Sequence, residues 1–170
     1  MIRIREGLVE DAEAMAAVNA AGWREGYRDI VPAERLEHLP VASWRRQMAA
    51  GLAHPRGHSF TRIAELDGGF AGYCFVAAPG REEDEDSNLA ELVALYVDPG
   101  LWQRGVGTAL GEAVIAETER LGYKEIFLWT FEQNRPALSL YRKLGFEPDG
   151  ERRPFVPIGT PTIRLRRPLP

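Results

Sequence analysis

Between Leu92 and Leu110 an apolar run is cut at Asp98-Pro99-Gly100, a basic, glycine-rich turn follows, and an amphipathic helix starts directly after it. No other stretch narrows the possible folds as much. A strand feeding such a turn and helix builds an anion site. The first backbone N–H groups of a helix lack intrahelical acceptors, and the macrodipole favours negative charge at that end. Gly105 and Gly107 have no Cβ, so a phosphate can come close to the backbone. A strand–turn–helix unit that holds a phosphate-bearing ligand is the expectation.

The surrounding sequence supplies elements for such a unit to sit in. Ile2 and Ile4 alternate with Arg3 and Arg5 as in a half-buried strand. Ala12 to Val18 reads as an alanine-rich helix opened by Glu10, Asp11 and Glu13. Pro32 and Pro40 bracket a second helical piece, and a third from Ser43 to Leu52 takes Ser43 as its N-cap. Phe60–Leu66 and Phe70–Ala77 flank Asp67-Gly68-Gly69, a hairpin signal. Leu89–Val97 is a strand, and Val106–Leu121 a helix ending at Gly122. Glu125–Phe131 is a strand covered on both faces, Asn134–Leu144 a short helix stopped by Gly145, and Thr162–Arg166 a last strand. Two strand–helix units after an antiparallel part imply one mixed sheet covered by helices, with residues 1–170 as one domain.

Composition removes several function classes. A formal charge of −4 argues against nucleic acid as partner. Arg152, Arg153, Arg164, Arg166 and Arg167 cluster late in the chain, which reads as a solvated terminal strand. Cys74, the single cysteine, lies in an apolar stretch and reads as a small buried hydrophobe. His38, His54 and His58 show no metal spacing, so no metal is expected. No apolar run has the length of a membrane span and the first residues lack a signal-peptide core, so a cytoplasmic protein without a membrane partner follows. Glu82 to Asp86 forms an acidic run, read as a solvated loop in preference to a lure for cationic amines.

Three phosphate motifs compete for the turn. A P-loop requires a lysine before Thr108, and none is there. A dinucleotide fingerprint requires a third glycine one position before Gly111, in an early unit of the chain. The third fits. Gln103-Arg-Gly-Val-Gly-Thr108, after Tyr96-Val97-Asp98-Pro99, resembles the acetyl-CoA pyrophosphate loop of the GNAT superfamily of N-acetyltransferases. Downstream, Asn134-Arg-Pro-Ala-Leu-Ser-Leu-Tyr-Arg-Lys-Leu-Gly-Phe146 resembles that superfamily's N-x-x-A-x-x-L-Y-x-x-x-G-F helix. The two segments span roughly Leu89 to Phe146 in the expected order, while the first half of the chain matches only in layout. Trp102 departs from the pattern by standing where Gln or Arg is usual, which leaves Arg104 and the backbone N–H groups to carry more of the pyrophosphate binding.

The resemblance implies an α/β chain with the acyl-CoA N-acyltransferase fold, a central mixed, mostly antiparallel sheet flanked by helices. It implies acetyl-CoA as co-substrate, held at its pyrophosphate by Gln103, Arg104, Gly105, Val106, Gly107 and Thr108 and along its pantetheine arm by backbone groups of Leu95, Tyr96 and Val97. It places the first helical region, with Trp23 and Tyr27, at the acceptor pocket; the same pair suits packing on the sheet equally well.

Elementary chemistry agrees. Asn134 and Tyr141 are almost two turns apart at about 3.6 residues per turn, so they share a helix face, with Asn134 as N-cap. Acetyl transfer expels a thiolate whose parent thiol has a pKa of about 8.5 by analogy with cysteine. Tyr141 can supply a proton or a hydrogen bond to it; its alternative is a core aromatic with a satisfied hydroxyl. The acceptor ammonium must lose a proton, and Glu91 is the leading base, directly or through water, against the alternative of a solvated strand-end carboxylate. Plain alternation would put Glu91 on one face with Val93, Leu95 and Val97. The expected activity is acetylation of a primary amine on a small molecule in a ternary complex, with a homodimer left open. A protein or peptide amine, and a non-catalytic acyl-CoA-binding module, are the alternatives.

Overall fold

The computed structural model describes residues 1–78 and 88–170, so the acidic run Glu82 to Asp86 lies outside the described residues. Among the described residues seven strands form one sheet: β1 (Ile2–Glu6), β2 (Phe60–Leu66), β3 (Gly69–Ala77), β4 (Leu89–Val97), β5 (Glu125–Phe131), β6 (Glu147–Phe155) and β7 (Thr160–Pro168). Their spatial order is β1-β2-β3-β4-β5-β7-β6. Among the described residues only β4 and β5 pair in parallel; every other neighbouring pair is antiparallel. The helices are α1 (Ala12–Gly26), α2 (Ala33–Glu37), α3 (Val41–Ala53), α4 (Val106–Arg120) and α5 (Arg135–Lys143).

The sheet is covered on both faces. On one, Val106, Leu110 and Val114 of α4, Tyr141 of α5 and Leu144 just after it join Cys74, Val97, Ile126, Leu128 and Leu165 in the main core. On the other, Met15 of α1 and Met48 and Leu52 of α3 pack with Ile63, Tyr73, Ala94 and Tyr96. The Asp67-Gly68 turn has positive φ at both residues (51° and 87°), the type I′ geometry that suits the twist of a hairpin.

Four expectations need correction. The helix read over Ala12 to Val18 continues to Gly26. Gly22 costs helix propensity, but a Cβ there would lie 2.9 Å from the Tyr96 ring, so its absence lets α1 come close to β4. Ser43 is not an N-cap: α3 begins at Val41 after Pro40, whose carbonyl accepts from Trp44 N–H at 3.0 Å. The Ser43 hydroxyl instead accepts from Gln47 Nε2 at 3.2 Å. Strand β6 had no sequence signal, because Pro148, Gly150 and Pro154 interrupt it and all its residues are exposed; an edge position tolerates those prolines.

The fourth correction bears on the site. Phe75 pairs with Ala94 but Val76 pairs with Leu92, leaving Val93 as the extra residue of a β-bulge, 51% exposed. The bulge inverts the alternation, so Glu91 shares its face with Ala94 and Tyr96, and not with Leu95 and Val97. Just before it, the parallel pairing ends. Leu89, Ala90 and Glu91 pair with Glu125, Ile126 and Phe127, and beyond them β4 and β5 part. A fork in the middle of the sheet results, with Glu91 as the last residue of β4 paired with β5.

Candidate functional site

A cavity of about 520 Å³ occupies the open side of this fork. Leu95, Tyr96 and Val97 of β4 form one wall. Gln103, Gly105, Gly107 and Thr108, at the start of α4, form the second. Asn134 and Tyr141 of α5 form the third, and Tyr27 stands at the end of α1. Ten residues singled out in the sequence thus meet in one place, although they come from four separate elements.

The turn into α4 has the geometry of an anion site. Gly105 has φ 85° and caps the helix without a side-chain hydrogen bond, and Gln103 also takes a positive φ of 62°. The latter conformation costs a non-glycine residue roughly 1 kcal/mol. The first bond of the helix runs from Ala109 N–H to the Gly105 carbonyl at 3.0 Å. Among the described residues the N–H groups of Gly105, Val106, Gly107 and Thr108 therefore have no backbone acceptor. Gly107 faces the cavity, close enough to α5 that a Cβ would lie 3.2 Å from Leu140 Cδ2.

On α5, Asn134 Oδ1 accepts from Ala137 N–H at 3.3 Å, which fixes the start of the helix as its N-cap position predicts. Tyr141 lies on the same face and is 9% exposed, with its ring edge-on to Phe146 at 5.9 Å. Burial pushes its phenol well above the ordinary tyrosine value. Among the described residues its hydroxyl has no hydrogen-bond partner.

Trp23 is not among the residues lining the cavity; its ring meets Phe131 at 6.4 Å and Phe155 at 5.8 Å. Its Nε1–H donates to the Tyr96 hydroxyl at 3.0 Å, the Tyr27 hydroxyl lies 3.2 Å from the same oxygen, and Trp23 and Tyr27 meet edge to face at 5.0 Å. The pair packs on the sheet, and Tyr27 alone also faces the cavity. Burial raises the Tyr27 and Tyr96 phenols, so both hydroxyls stay protonated.

Glu91, Arg104 and Val106 do not line the cavity either. Val106 is buried beneath the turn, and Arg104 is exposed beside it. Glu91 stands at the apex of the fork, half-buried; burial pushes its carboxyl up, and the Arg153 guanidinium draws it partly back. Sequence reasoning did not find the part played by Trp102. Its Nε1–H donates to the Val97 carbonyl at 2.9 Å, and its ring, 40% exposed, lines the cavity over Gly26. Gly22 and Gly26 also line the cavity, and their spacing of one helical turn was the only available signal. Among the described residues no His, Cys, Asp and Glu side chains gather as a metal site, and no helix is long and apolar enough to cross a membrane.

Known proteins resemble this chain in sequence or in fold. The chain is 27% identical to the uncharacterized N-acetyltransferase YuaI of Bacillus subtilis, over 99% of this chain and 98% of that one. The PaiA N-acetyltransferase of Thermoplasma acidophilum, solved in complex with coenzyme A, superposes with a TM-score of 0.75 at 21% identity, covering 99% of each chain. YncA of Salmonella typhimurium, solved with its cofactor acetyl-CoA, gives 0.75 at 18% identity over 100% of this chain and 95% of that one. The family model of the GNAT acetyltransferases matches residues 21–146, from the second half of α1 to the end of the α5 motif. With the forked sheet, the open helix start and Tyr141 all inside that span, the chain belongs to the GNAT family and is an acetyl-CoA-dependent N-acetyltransferase.

Proposed function

We propose that the enzyme transfers the acetyl group of acetyl-CoA to a primary amine of a small molecule, by direct attack within a ternary complex. The observation that carries this reading is the single cavity onto which the fork, the unsatisfied N–H groups of α4 and the Tyr141 phenol all open. The pyrophosphate binds the N–H groups from Gly105 to Thr108, with Gln103 and Arg104 beside it. The pantetheine arm lies along Leu95 to Val97, where the Val97 carbonyl already accepts from Trp102 and the remaining backbone groups of that segment make the contacts.

In the reaction the amine nitrogen attacks the thioester carbonyl carbon, the carbonyl oxygen gains negative charge, and the C–S bond then breaks. A β4 N–H freed by the fork polarises the carbonyl. The departing thiolate belongs to a thiol of pKa about 8.5. Because burial raises the Tyr141 phenol far above that value, full proton transfer from it runs uphill, and its role is a hydrogen bond to sulfur. Aromatic contacts of Tyr27 with Phe131 (4.9 Å) and of Phe131 with Phe155 (5.4 Å) wall the acceptor side, which favours a compact acceptor. Free-thiol release from acetyl-CoA, followed with a panel of small amines and of peptides, tests the reading. Turnover with small amines is expected. A signal from peptides alone, or acetyl-CoA binding without release for any acceptor, would overturn it.

Glu91 takes the amine proton, directly or through water. Its raised carboxyl pKa moves the acid limb of the rate profile upward: below that pKa the base is protonated and transfer stops. Near pH 10 a lysine-like amine, of pKa about 10.4, is already more than one-quarter free base without help, a far larger share than at neutral pH. Glu91→Gln is therefore expected to slow the enzyme most between those limits, with the deficit closing as pH rises. A wild-type-to-variant ratio that stays constant from pH 6 to about pH 10 would exclude Glu91 as the base.

A further inference from the structure

The five arginines of the C-terminal ribbon are not simply a solvated strand; they divide by partner. Arg152 pairs with Glu132, Arg164 with Asp149 at 2.6 Å, and Arg166 with Glu125, while Arg167 donates to the Leu144 carbonyl. Arg153 differs. Among the described residues it makes no ion pair, and its guanidinium carbon sits 4.0 Å from the centroid of the Trp129 ring.

Register places this group beside the fork. Arg153 is opposite Thr162 on β7, and Thr162 is opposite Phe131 on β5. Paired residues share a face, so Arg153 stands on the same face as Phe131 and Trp129. Glu91 is opposite Phe127, two residues before Trp129, and so belongs to this face too. With a rise of about 3.3 Å per residue and about 4.8 Å between strands, the Cα atoms of Glu91 and Trp129 lie roughly 8 Å apart. Yet the carboxylate and the guanidinium form no ion pair; Arg153 acts on Glu91 only through its field.

Stacking on an indole uses the flat face of the guanidinium and leaves its N–H edge free. That edge is a planar fork matched to a carboxylate. An acid on one side of the gap and an uncommitted guanidinium on the other suit a ligand bearing both charges.

We propose that Arg153 determines specificity for an acceptor carrying a carboxylate beside its primary amine, an amino-acid-type zwitterion whose ammonium faces Glu91 and whose carboxylate meets the Arg153 guanidinium over Trp129. This rests on the small-molecule acetyl transfer proposed above. Trp129 is a positioning residue, holding Arg153 by its face.

The test compares α-amino acids, their carboxamides and the matching carboxyl-free amines, each at equal free-amine concentration. The enzymes are wild type, Arg153→Gln, Arg153→Lys and the ion-paired neighbour Arg152→Gln, with acetyl-CoA affinity by calorimetry as the check that the site has formed. In wild type, kcat/KM is expected to favour the acid over the carboxamide about tenfold or more, mainly through KM, as a charge-assisted bidentate contact provides. Arg153→Gln should abolish that preference, Arg153→Lys should recover part of it, and Arg152→Gln should keep it. Carboxamides used as well as acids, or a preference that survives Arg153→Gln, would overturn the inference and leave small-molecule transfer standing. Transfer to peptides alone, or no transfer at all, would remove the small-molecule reading and this inference with it.

Discussion

Tyr141→Phe is expected to lower kcat about a hundredfold while acetyl-CoA affinity stays unchanged. The substitution removes one oxygen and nothing else. Phenylalanine keeps the ring's edge contact with Phe146 and its place in the core, where tyrosine is 9% exposed. Among the described residues the hydroxyl has no partner, so its loss orphans no buried donor or acceptor, and stability should hold. On the proposed mechanism, what disappears is a hydrogen bond made only when sulfur gains charge. Bonds to charged groups contribute about 1.5–3 kcal/mol, and at about 1.4 kcal/mol per tenfold the upper part of that range is the hundredfold expected. Single-turnover thiol release separates the chemical step from product release. Undiminished turnover would take the phenol out of the mechanism; a lost affinity for acetyl-CoA would instead make the hydroxyl a cofactor anchor.

How much of this could be read before folding depends on how local each signal is. The hairpin at Asp67-Gly68, the glycine turn into α4 and the Asn134 cap were legible because each is set by residues within a few positions of one another. The shared face of Asn134 and Tyr141 followed from helical period alone. The bulge at Val93 could not be read in that way. It depends on how β3 and β4 pair, and Leu89–Val97 looks like an ordinary apolar strand. Its consequence was large, since it moved Glu91 to the other face of the sheet and marks where β4 leaves β5. Trp102 was legible only as a missing polar side chain. Its bond to the Val97 carbonyl joins two ends of one turn, and that contact exists only after the turn has folded back on the strand. The C-terminal arginines looked alike in sequence because their partners lie on Glu125, Glu132 and Asp149, far from some of them along the chain.

Gly107→Leu should weaken acetyl-CoA binding about a hundredfold, some 2.8 kcal/mol. The glycine lies in the first turn of α4, where the N–H groups without acceptors face the cavity. A Cβ at this position would stand 3.2 Å from Leu140 Cδ2 and 3.8 Å from Val97 Cγ2. That contact is tight against one movable methyl group, so Gly107→Ala requires a shift of only tenths of an ångström, and alanine suits a helix better than glycine does. The longer leucine side chain has no room toward α5 and must extend into the cavity, over the N–H groups that the diphosphate would use. A graded result is therefore expected: affinity nearly retained for alanine and lost for leucine, with both variants melting as cooperatively as wild type. Calorimetric titration with acetyl-CoA distinguishes the explanations. Equal losses for both variants would point to disturbed packing between α4 and α5, because steric blockade grows with the side chain. Full affinity in the leucine variant would mean that the diphosphate does not lie on this helix start, and the assignment of Gly105 to Thr108 would fall.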